Sequence, residues 1–171
     1  MTRKDLKEKT IQEKENNMQL TTYIKDEQDI YEVRVAMKAI VRKAIFNTLV
    51  YEGHDLDTEV SVTFVDNDQI KELNNEYRSK NSPTDVLSFP MYDDLSEASD
   101  EFMPVALGDI VISLEKAAKQ GYEIGHSIYH EVAFLCVHST LHLLGYDHET
   151  SKADETDMFR RQKEIMEIMG F

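Results

Sequence analysis

The stretch TEVSVTFVD, residues 58–66, decides the fold class because apolar and polar side chains alternate along it. The alternation places Val60, Val62 and Phe64 on one face and small polar side chains on the other, which is the period-2 pattern of a half-buried β-strand. A strand with one apolar face must be covered by another layer of structure. The neighbouring sequence should therefore supply helices that pack on a sheet.

Helical patterns lie on both sides of this strand. Apolar residues recur at helical spacing over residues 30–53, and Gly53 is predicted to end that helix. Residues 67–80 predict a second helix, with Asp66 or Asn67 as its N-cap. The strand is thus expected to run between two helices.

The remaining patterns complete the predicted fold. Three further strands are predicted at residues 20–26, 84–92 and 107–113, and Pro90 suits an edge strand or a strand end because proline cannot donate to a ladder. Three further helices are predicted from Leu114 to about Gly121, from about His126 to Leu144, and from Ser151 to Met169. This order predicts an α+β fold with a small mixed four-stranded sheet packed with helices.

The amino-acid composition limits the possible number of domains and the possible cellular compartment of the protein. A chain of 171 residues with 41% hydrophobic residues suits one core, so residues 18–171 are predicted to form one domain. Residues 1–17 are almost entirely polar and are expected to be a disordered extension. No long apolar run or signal peptide is visible, and the single Cys136 is expected to be a buried thiol. These features predict a cytoplasmic protein without a membrane partner.

The net charge of −14 restricts the possible partners. An acidic protein repels nucleic acid on average, so an RNA partner must meet a local basic patch, and DNA is not expected. The acidic stretch from Asp93 to Glu101 carries five carboxylates in nine residues and is expected to be a mobile, solvated loop.

The segment HSTLHLLGYDH, residues 138–148, carries the clearest chemical pattern. On a helix near the C-terminus, His138 and His142 lie one turn apart on the same face. Gly145 can adopt the left-handed conformation that turns the chain back and brings His148 to the same point. Three nitrogen ligands with an open fourth position are typical of a catalytic zinc site, although nickel, copper or iron would also accept these ligands.

The same spacing occurs in the metzincin protease signature H-E-x-x-H-x-x-G-x-x-H. Ser139 stands where that signature has its glutamate general base. Without the carboxylate, peptide hydrolysis lacks its proton acceptor, so a protease of this class is not expected. A metal can still polarise a phosphoryl oxygen, which favours attack on a phosphodiester.

Three sequence blocks together resemble the YbeY family of bacterial endoribonucleases, which act as rRNA maturation factors. These blocks are YRSKNSPTDVLSFP, LGDIVIS and VHSTLHLLGYDH, and the similarity covers roughly residues 20–170. The resemblance implies that His138, His142 and His148 are zinc ligands and that Arg78 is a functional arginine. Ser139 departs from the glycine that the family often has there.

Other polar residues are open to two interpretations. Arg78 is either a surface arginine near a helix end or a phosphate clamp, which the resemblance favours. Asp147 and Asp85 could orient a ligand histidine, or they could cap a turn. Lys80 could assist Arg78, and Asp109 could act as a base. Glu131 could be a carboxylate that lines the cleft. His126 and His130 are interpreted as a solvated pair.

Two functions follow from these patterns. The first is a zinc-dependent single-strand endoribonuclease that acts on ribosomal RNA, with roles in 16S 3′-end processing and ribosome quality control implied by the resemblance. The alternative is a noncatalytic ribosome-assembly factor with a structural metal, which the charge of −14 and the missing glutamate favour. Both predict the ribosome or its associated proteins as partners.

Overall fold

A four-stranded mixed sheet with helices packed against it forms the part of the chain that the computed structural model describes, residues 18–98 and 103–171. The strands are β1 (Leu20–Asp26), β2 (Thr58–Val65), β3 (Val86–Pro90) and β4 (Val105–Ser113). The helices are α1 (Val35–Tyr51), α2 (Asn67–Arg78), α3 (Leu114–Ile124), α4 (Ile128–Leu143) and α5 (Lys152–Met169), with a 3-10 turn at Leu95–Ala98.

The strand order in the sheet is β1-β2-β4-β3. The strands β1, β2 and β4 run parallel, and β3 runs antiparallel to β4 at the sheet edge. The predicted α+β class and mixed four-stranded sheet are confirmed. Pro90 is the last residue of the edge strand β3. At this position the sheet does not need a hydrogen bond from the N–H group that proline lacks.

One helix start differs from the sequence prediction, and the other selects one of two predicted N-caps. The first helix begins at Val35 and not at residue 30, because the Gln28 carboxamide oxygen accepts hydrogen bonds from the backbone N–H groups of Ile30 and Tyr31. These bonds hold the preceding residues in a loop. In α2, the N-cap is Asp66, which forms a capping box with Gln69.

The junction between α3 and α4 also differs from the prediction. Gly121 lies inside α3, and the helix ends at Gly125, whose positive φ of 76° provides the left-handed C-cap. A side chain at Gly121 would place its Cβ 2.8 Å from the carbonyl oxygen of His126, so glycine lets the two helices approach closely. Ser127 caps α4 by accepting a hydrogen bond from the N–H of His130.

The core lies between the sheet and the helices, and α4 runs through it. Fully buried apolar residues of α4, among them Val132, Val137 and Leu141, belong to one cluster with residues of α1, α5 and the strands. Cys136 is also fully buried, as predicted. Because its apolar faces are covered, α4 has little freedom to shift, and its histidines are held on a fixed support.

Two predicted segments fall wholly or partly outside the described residues. The predicted extension at residues 1–17 lies outside them, as do residues 99–101 of the acidic stretch. In the described part of that stretch, Ala98 is buried and Leu95 packs against the core, so the expectation of a fully solvated loop is wrong for these two residues. Among the described helices, none is both long enough and apolar enough to span a membrane.

Candidate metal centre

A cleft of about 680 Å³ opens between strand β3 and the C-terminal end of α4. The turn that follows α4 forms one wall, and β3 with the end of α2 forms the other. All three histidines of the HSTLHLLGYDH segment line this cleft. The cleft is open to solvent, so a polymer can reach the histidines from outside.

The three histidines converge within a few ångströms. The Nε2 atoms of His138 and His142 lie 3.0 Å apart. The ring centroid of His148 lies 5.2 Å from that of His138 and 5.1 Å from that of His142. One nitrogen from each ring can be chosen so that all three lie within 4.8 Å of one another, which is the arrangement that could hold one metal ion.

The turn between α4 and α5 brings His148 into place. Gly145 has a φ of 98°, a left-handed conformation that favours glycine, and its N–H donates to the carbonyl of His142. The N–H of Tyr146 donates to the carbonyl of Leu141 at 3.0 Å. These bonds close the end of α4 and reverse the chain, as the sequence predicted.

The contacts of His142 determine which of its nitrogens is free. Its Nδ1 lies 2.8 Å from the carbonyl oxygen of Tyr146. A carbonyl can only accept a hydrogen bond, so in the neutral ring Nδ1 carries the proton and Nε2 keeps its lone pair. That lone pair is directed at the neighbouring ring of His138, where a metal would lie.

A second polar contact fixes His138. The side-chain amide nitrogen of Gln162, on α5, lies 2.7 Å from Nδ1 of His138. In this orientation the amide donates to Nδ1, and the proton of His138 sits on Nε2, where it can be donated to Nε2 of His142. Rotation of the amide by half a turn would present its oxygen to Nδ1–H and leave both Nε2 lone pairs free for a cation.

Burial keeps these rings neutral. Desolvation lowers the pKa of His138 to about 4, with further lowering by His142 and His148 and partial opposition from Asp85 and Gln162. Desolvation also lowers the pKa of His142. Neutral imidazole is the form that binds a metal ion.

The donor set fits a transition-metal ion. The ring atom Nδ1 of His148 is buried and has no hydrogen-bond partner among the described residues. A buried nitrogen without a hydrogen-bond partner is costly in a protein interior unless an ion or a water satisfies it. Three imidazole nitrogens suit zinc, nickel, copper or iron better than they suit magnesium or calcium.

A buried network of hydrogen bonds and ion pairs stabilises the turn between α4 and α5. Arg161 of α5 donates to both carboxylate oxygens of Glu52 at 2.8 Å and lies over the ring of Tyr146, 4.6 Å from the centroid. The hydroxyl of Tyr146 donates to Glu52 at 2.6 Å. Since the carbonyl of Tyr146 orients His142, this network connects α1 and α5 to the histidine cluster.

Arg78 lies in the same cleft as the histidines. It is the last residue of α2, which ends because Ser79 adopts a left-handed conformation with a φ of 55°. The Arg78 side chain is 39% exposed, and its ion pair with Glu149 spans 3.8 Å. A pair this exposed is weak, so the guanidinium is available to an incoming anion. Lys80 is exposed and does not line the cleft.

The two candidate aspartates line the cleft and accept hydrogen bonds from nearby backbone N–H groups, and Asp85 also accepts one from the side-chain amide of Gln120 at 3.3 Å. Asp85 accepts a hydrogen bond from the N–H of Val86 at 2.8 Å, and Asp147 accepts one from the N–H of Glu149 at 2.8 Å. These are turn-stabilising bonds. The charge of Asp85 also raises the pKa of His138, which opposes the effect of burial.

The other predicted candidates lie elsewhere. Asp109 is an exposed residue of β4 that accepts a hydrogen bond from Ser61 and does not line the cleft. Glu131 is buried beside His126 and His130, not in the cleft, and these two histidines pack against each other, with His126 exposed and His130 half-buried. Helical spacing predicted correctly how far Glu131 lies from His138 along α4. It did not predict the direction in which the Glu131 side chain points.

Sequence reasoning missed the residues that support the site. Gln162, Glu52, Arg161 and Tyr146 do not form a recognisable motif, because their contacts join segments that are 24 to 109 residues apart in the chain. Tyr146 alone carried a signal, since it lies inside the histidine block. The aromatic pair of Tyr77 and Phe89 in the cleft wall, with ring centroids 5.1 Å apart, was also missed.

The chain matches known proteins over most of its length. The family model described as Endoribonuclease YbeY matches residues 23–170. A protein of that name from Bacillus cereus (strain G9842) is 46% identical over 143 residues, 81% of this chain and 90% of the relative. One from Alkaliphilus oremlandii is 46% identical over 148 residues, 84% of this chain and 93% of the relative.

A solved structure agrees with the fold. The solution structure of a Thermotoga maritima protein is 28% identical, has a TM-score of 0.56, and covers 86% of this chain and 88% of its own. The range matched by the family model contains the three histidines and Arg78. The chain belongs to the endoribonuclease YbeY family.

Proposed function

We propose that this protein is a zinc-dependent endoribonuclease that cleaves single-stranded RNA during the maturation of ribosomal RNA, including 16S 3′-end processing and ribosome quality control. Its relatives are named endoribonucleases. The observation that carries the proposal is the convergence of three histidines in one cleft with Arg78.

The histidines His138, His142 and His148 would hold one zinc ion. When bound, zinc supplies Lewis-acid activation of water and of a phosphoryl oxygen. The protein favours the neutral form of His138 and His142 and holds the three rings in position. Burial lowers the pKa of His138 and His142, and the contacts with Gln162 and with the Tyr146 carbonyl orient the two rings.

Arg78 would bind the scissile phosphate. Its guanidinium offers a fork of N–H groups that matches two phosphate oxygens. The ion pair of Arg78 with Glu149 is long and exposed, so a phosphate that accepts two hydrogen bonds from the guanidinium can replace Glu149 at little cost. Charge–charge attraction then increases as negative charge develops on the phosphoryl oxygens during attack.

The cleft wall favours an unpaired strand over a duplex. Tyr77 is 61% exposed and packs edge-on against Phe89, and both residues line the cleft. Exposed aromatic faces stack on unpaired bases, which are not available within a duplex. A splayed RNA base on Tyr77 would bring its phosphate toward Arg78, the next residue in the chain.

The electrostatic surroundings oppose RNA binding by this chain alone. Asp85, Asp93, Asp147 and Glu149 line the cleft, and the whole chain carries a net charge of −14. The cation held by the histidines and the guanidinium of Arg78 would be the positive charges that a phosphate meets. A partner on the ribosome would then supply the rest of the affinity, and cytoplasmic location follows from that partner.

The test is a cleavage assay with controlled metal content. The purified chain is analysed for zinc, nickel, copper and iron, stripped with a chelator, and assayed on RNA with single-stranded ends before and after zinc is restored. We expect cleavage to stop on stripping and to return with zinc. Cleavage that persists in the chelator, or in His142→Ala purified in the same way, would contradict the proposal.

The acidic lining of the cleft favours one other function. A noncatalytic ribosome-assembly factor would use the metal only to fix the turn after α4. That function predicts zinc in the purified chain and ribosome binding that survives Arg78→Ala, but no RNA cleavage after zinc is restored. The same assay therefore separates the two functions.

A further inference from the structure

A second group of metal-binding side chains lies at the opposite end of α4. His126 precedes the helix, and His130 and Glu131 lie in its first turn. The rings of His126 and His130 have centroids 3.8 Å apart. We propose that these three residues form a second metal site, which takes a borderline transition-metal ion such as Zn²⁺, Co²⁺ or Ni²⁺.

The distances in this cluster match the edges of a coordination tetrahedron. Ligand atoms at 2.0 to 2.1 Å from a tetrahedral zinc ion are about 3.4 Å from one another. Oε1 of Glu131 lies 3.2 Å from Nδ1 of His126 and 3.5 Å from Nδ1 of His130. One side-chain atom from each residue can be chosen so that all three lie within 4.8 Å of one another.

The buried carboxylate of Glu131 requires a nearby positive charge to offset the cost of its desolvation. The Glu131 side chain is only 7% exposed, and a buried carboxylate is costly without compensation. Among residues 18–98 and 103–171, the ion pairs of Glu131 are with His126 and His130, and neither of these is a permanent cation. A divalent ion would supply the charge at any pH at which the imidazoles are neutral.

His130 provides the second, independent observation. Its Nδ1 atom is buried and has no hydrogen bond, although Glu131 lies 3.5 Å away. The exposed edge of the cluster is the His126 ring, whose side chain is 41% exposed, so an ion can enter from solvent. Two imidazole nitrogens and one carboxylate oxygen are the ligands that zinc-like ions prefer, whereas magnesium and calcium prefer oxygen.

The second site lies too far from the first for the two ions to act on one phosphate. His130 and His138 are eight residues apart on one helix, a rise of about 12 Å. Two-metal catalysis needs ions about 3.5 to 4 Å apart. The second ion would instead fix the start of α4 against the end of the chain, because the His130 ring packs edge-on against Phe171 with centroids 5.1 Å apart.

The simpler alternative is an ion pair between Glu131 and a protonated histidine, with no metal. Metal stoichiometry separates the two because five of the six histidines in the chain belong to one cluster or the other. The sixth, His54, bonds to Thr58 outside both clusters and offers a matched control.

The experiment is a zinc titration of the full chain after chelator treatment, followed by calorimetry and elemental analysis. Wild type and His54→Gln should each bind two equivalents. His130→Gln and Glu131→Gln should each lose one equivalent and keep the other, and the retained equivalent shows that the fold is intact. His142→Ala should keep the equivalent that His130→Gln loses.

Cobalt gives an independent readout. Co²⁺ added to His142→Ala should produce the visible absorption of a tetrahedral site, and His130→Gln introduced into that variant should remove it. A single equivalent in wild type that His130→Gln leaves unchanged would overturn the second site. A second equivalent that survives in both His130→Gln and Glu131→Gln would also overturn it. None of these outcomes depends on RNA cleavage, so they stand apart from the proposed nuclease function.

Discussion

The side-chain amide of Gln162 lies 2.7 Å from Nδ1 of His138 and decides which nitrogen of that ring carries the proton. The two residues come from different helices, α5 and α4. Gln162 is itself 5% exposed, so its amide has few other ways to satisfy its hydrogen-bonding groups. The geometry of the three-histidine cluster therefore depends on α5 as well as on α4.

Gln162→Leu should weaken zinc binding without unfolding the protein. The substitution keeps the volume of the side chain but removes the hydrogen bond that orients His138, and such losses typically reduce metal affinity about 10- to 100-fold. Competition with a chromophoric chelator measures the change. Lys163→Leu, an exposed neighbour on α5, is the control and should bind zinc as wild type does. Equal affinities for the two variants would remove Gln162 from the site.

His142→Ala should remove the zinc held in the cleft. One of three ligands is lost, and water replaces it. The measurement is best made in a His130→Gln background, where the cleft is the only remaining cluster among the described residues, so that occupancy is expected to fall from about one equivalent to near zero. Full occupancy in the double variant would show that the three histidines are not the ligands.

Arg78→Ala should separate metal binding from cleavage. Loss of a charge-assisted contact in the transition state is worth about 1.5 to 3 kcal/mol, so the cleavage rate should fall about tenfold or more. Zinc content should not change, and stability should change by no more than about 0.5 kcal/mol. Arg34→Ala, which removes an exposed arginine paired with Glu32 far from the cleft, is the control. Wild-type cleavage by Arg78→Ala would leave the arginine without a catalytic role.

Acid should destabilise the metal-free protein through His138. Its folded-state pKa is about 4, below the ordinary value of 6.5, so the unfolded chain takes up the proton first. The stability that neutral His138 contributes is complete above pH 6.5 and is lost as the pH falls toward 4, by about 3 kcal/mol. Burial lowers the pKa of His142 too, and this adds in the same direction. Urea unfolding of wild type and His138→Asn at pH 7 and pH 4.5 measures the difference, and parallel losses in both proteins would contradict it.

Arg161→Met should loosen the turn that presents His142 and His148. The change leaves the Glu52 carboxylate, which is 8% exposed, without its cation, and such a loss from a buried pair costs about 3 to 5 kcal/mol. Thermal unfolding should show the loss, and zinc should restore part of it because zinc binds only the folded site. Arg160→Met, which removes a more exposed arginine of the same helix, should cost less. An equal effect of the two changes would contradict the role given to Arg161.

The sequence predicted what depends on local pattern. The alternation in residues 58–66, the capping of α2 by Asp66 and the left-handed Gly145 are decided by a few neighbouring residues, and each was predicted. The convergence of His138, His142 and His148 was predicted as well, because it is set by one helical turn and one reversal of the chain.

Sequence could not supply what depends on tertiary packing. The contact between Tyr146 and Glu52 joins residues 94 positions apart, and that between His138 and Gln162 crosses from one helix to another. Neither has a local signature. Glu131 shows the same limit, because its spacing from His138 placed it near the cleft, whereas its side chain packs beside Gly121 and the preceding histidines.

The burial of Cys136 has a practical consequence for studying this protein. Burial raises the pKa of its thiol to about 12, and the side chain is fully covered by the core, so it stays protonated and out of reach of reagents such as maleimides. Because it is the one cysteine in the sequence, the native chain already serves as an unreactive background for site-specific labelling. A cysteine introduced at the exposed Tyr122 would carry a fluorophore or a spin label to a single defined position without any further substitution.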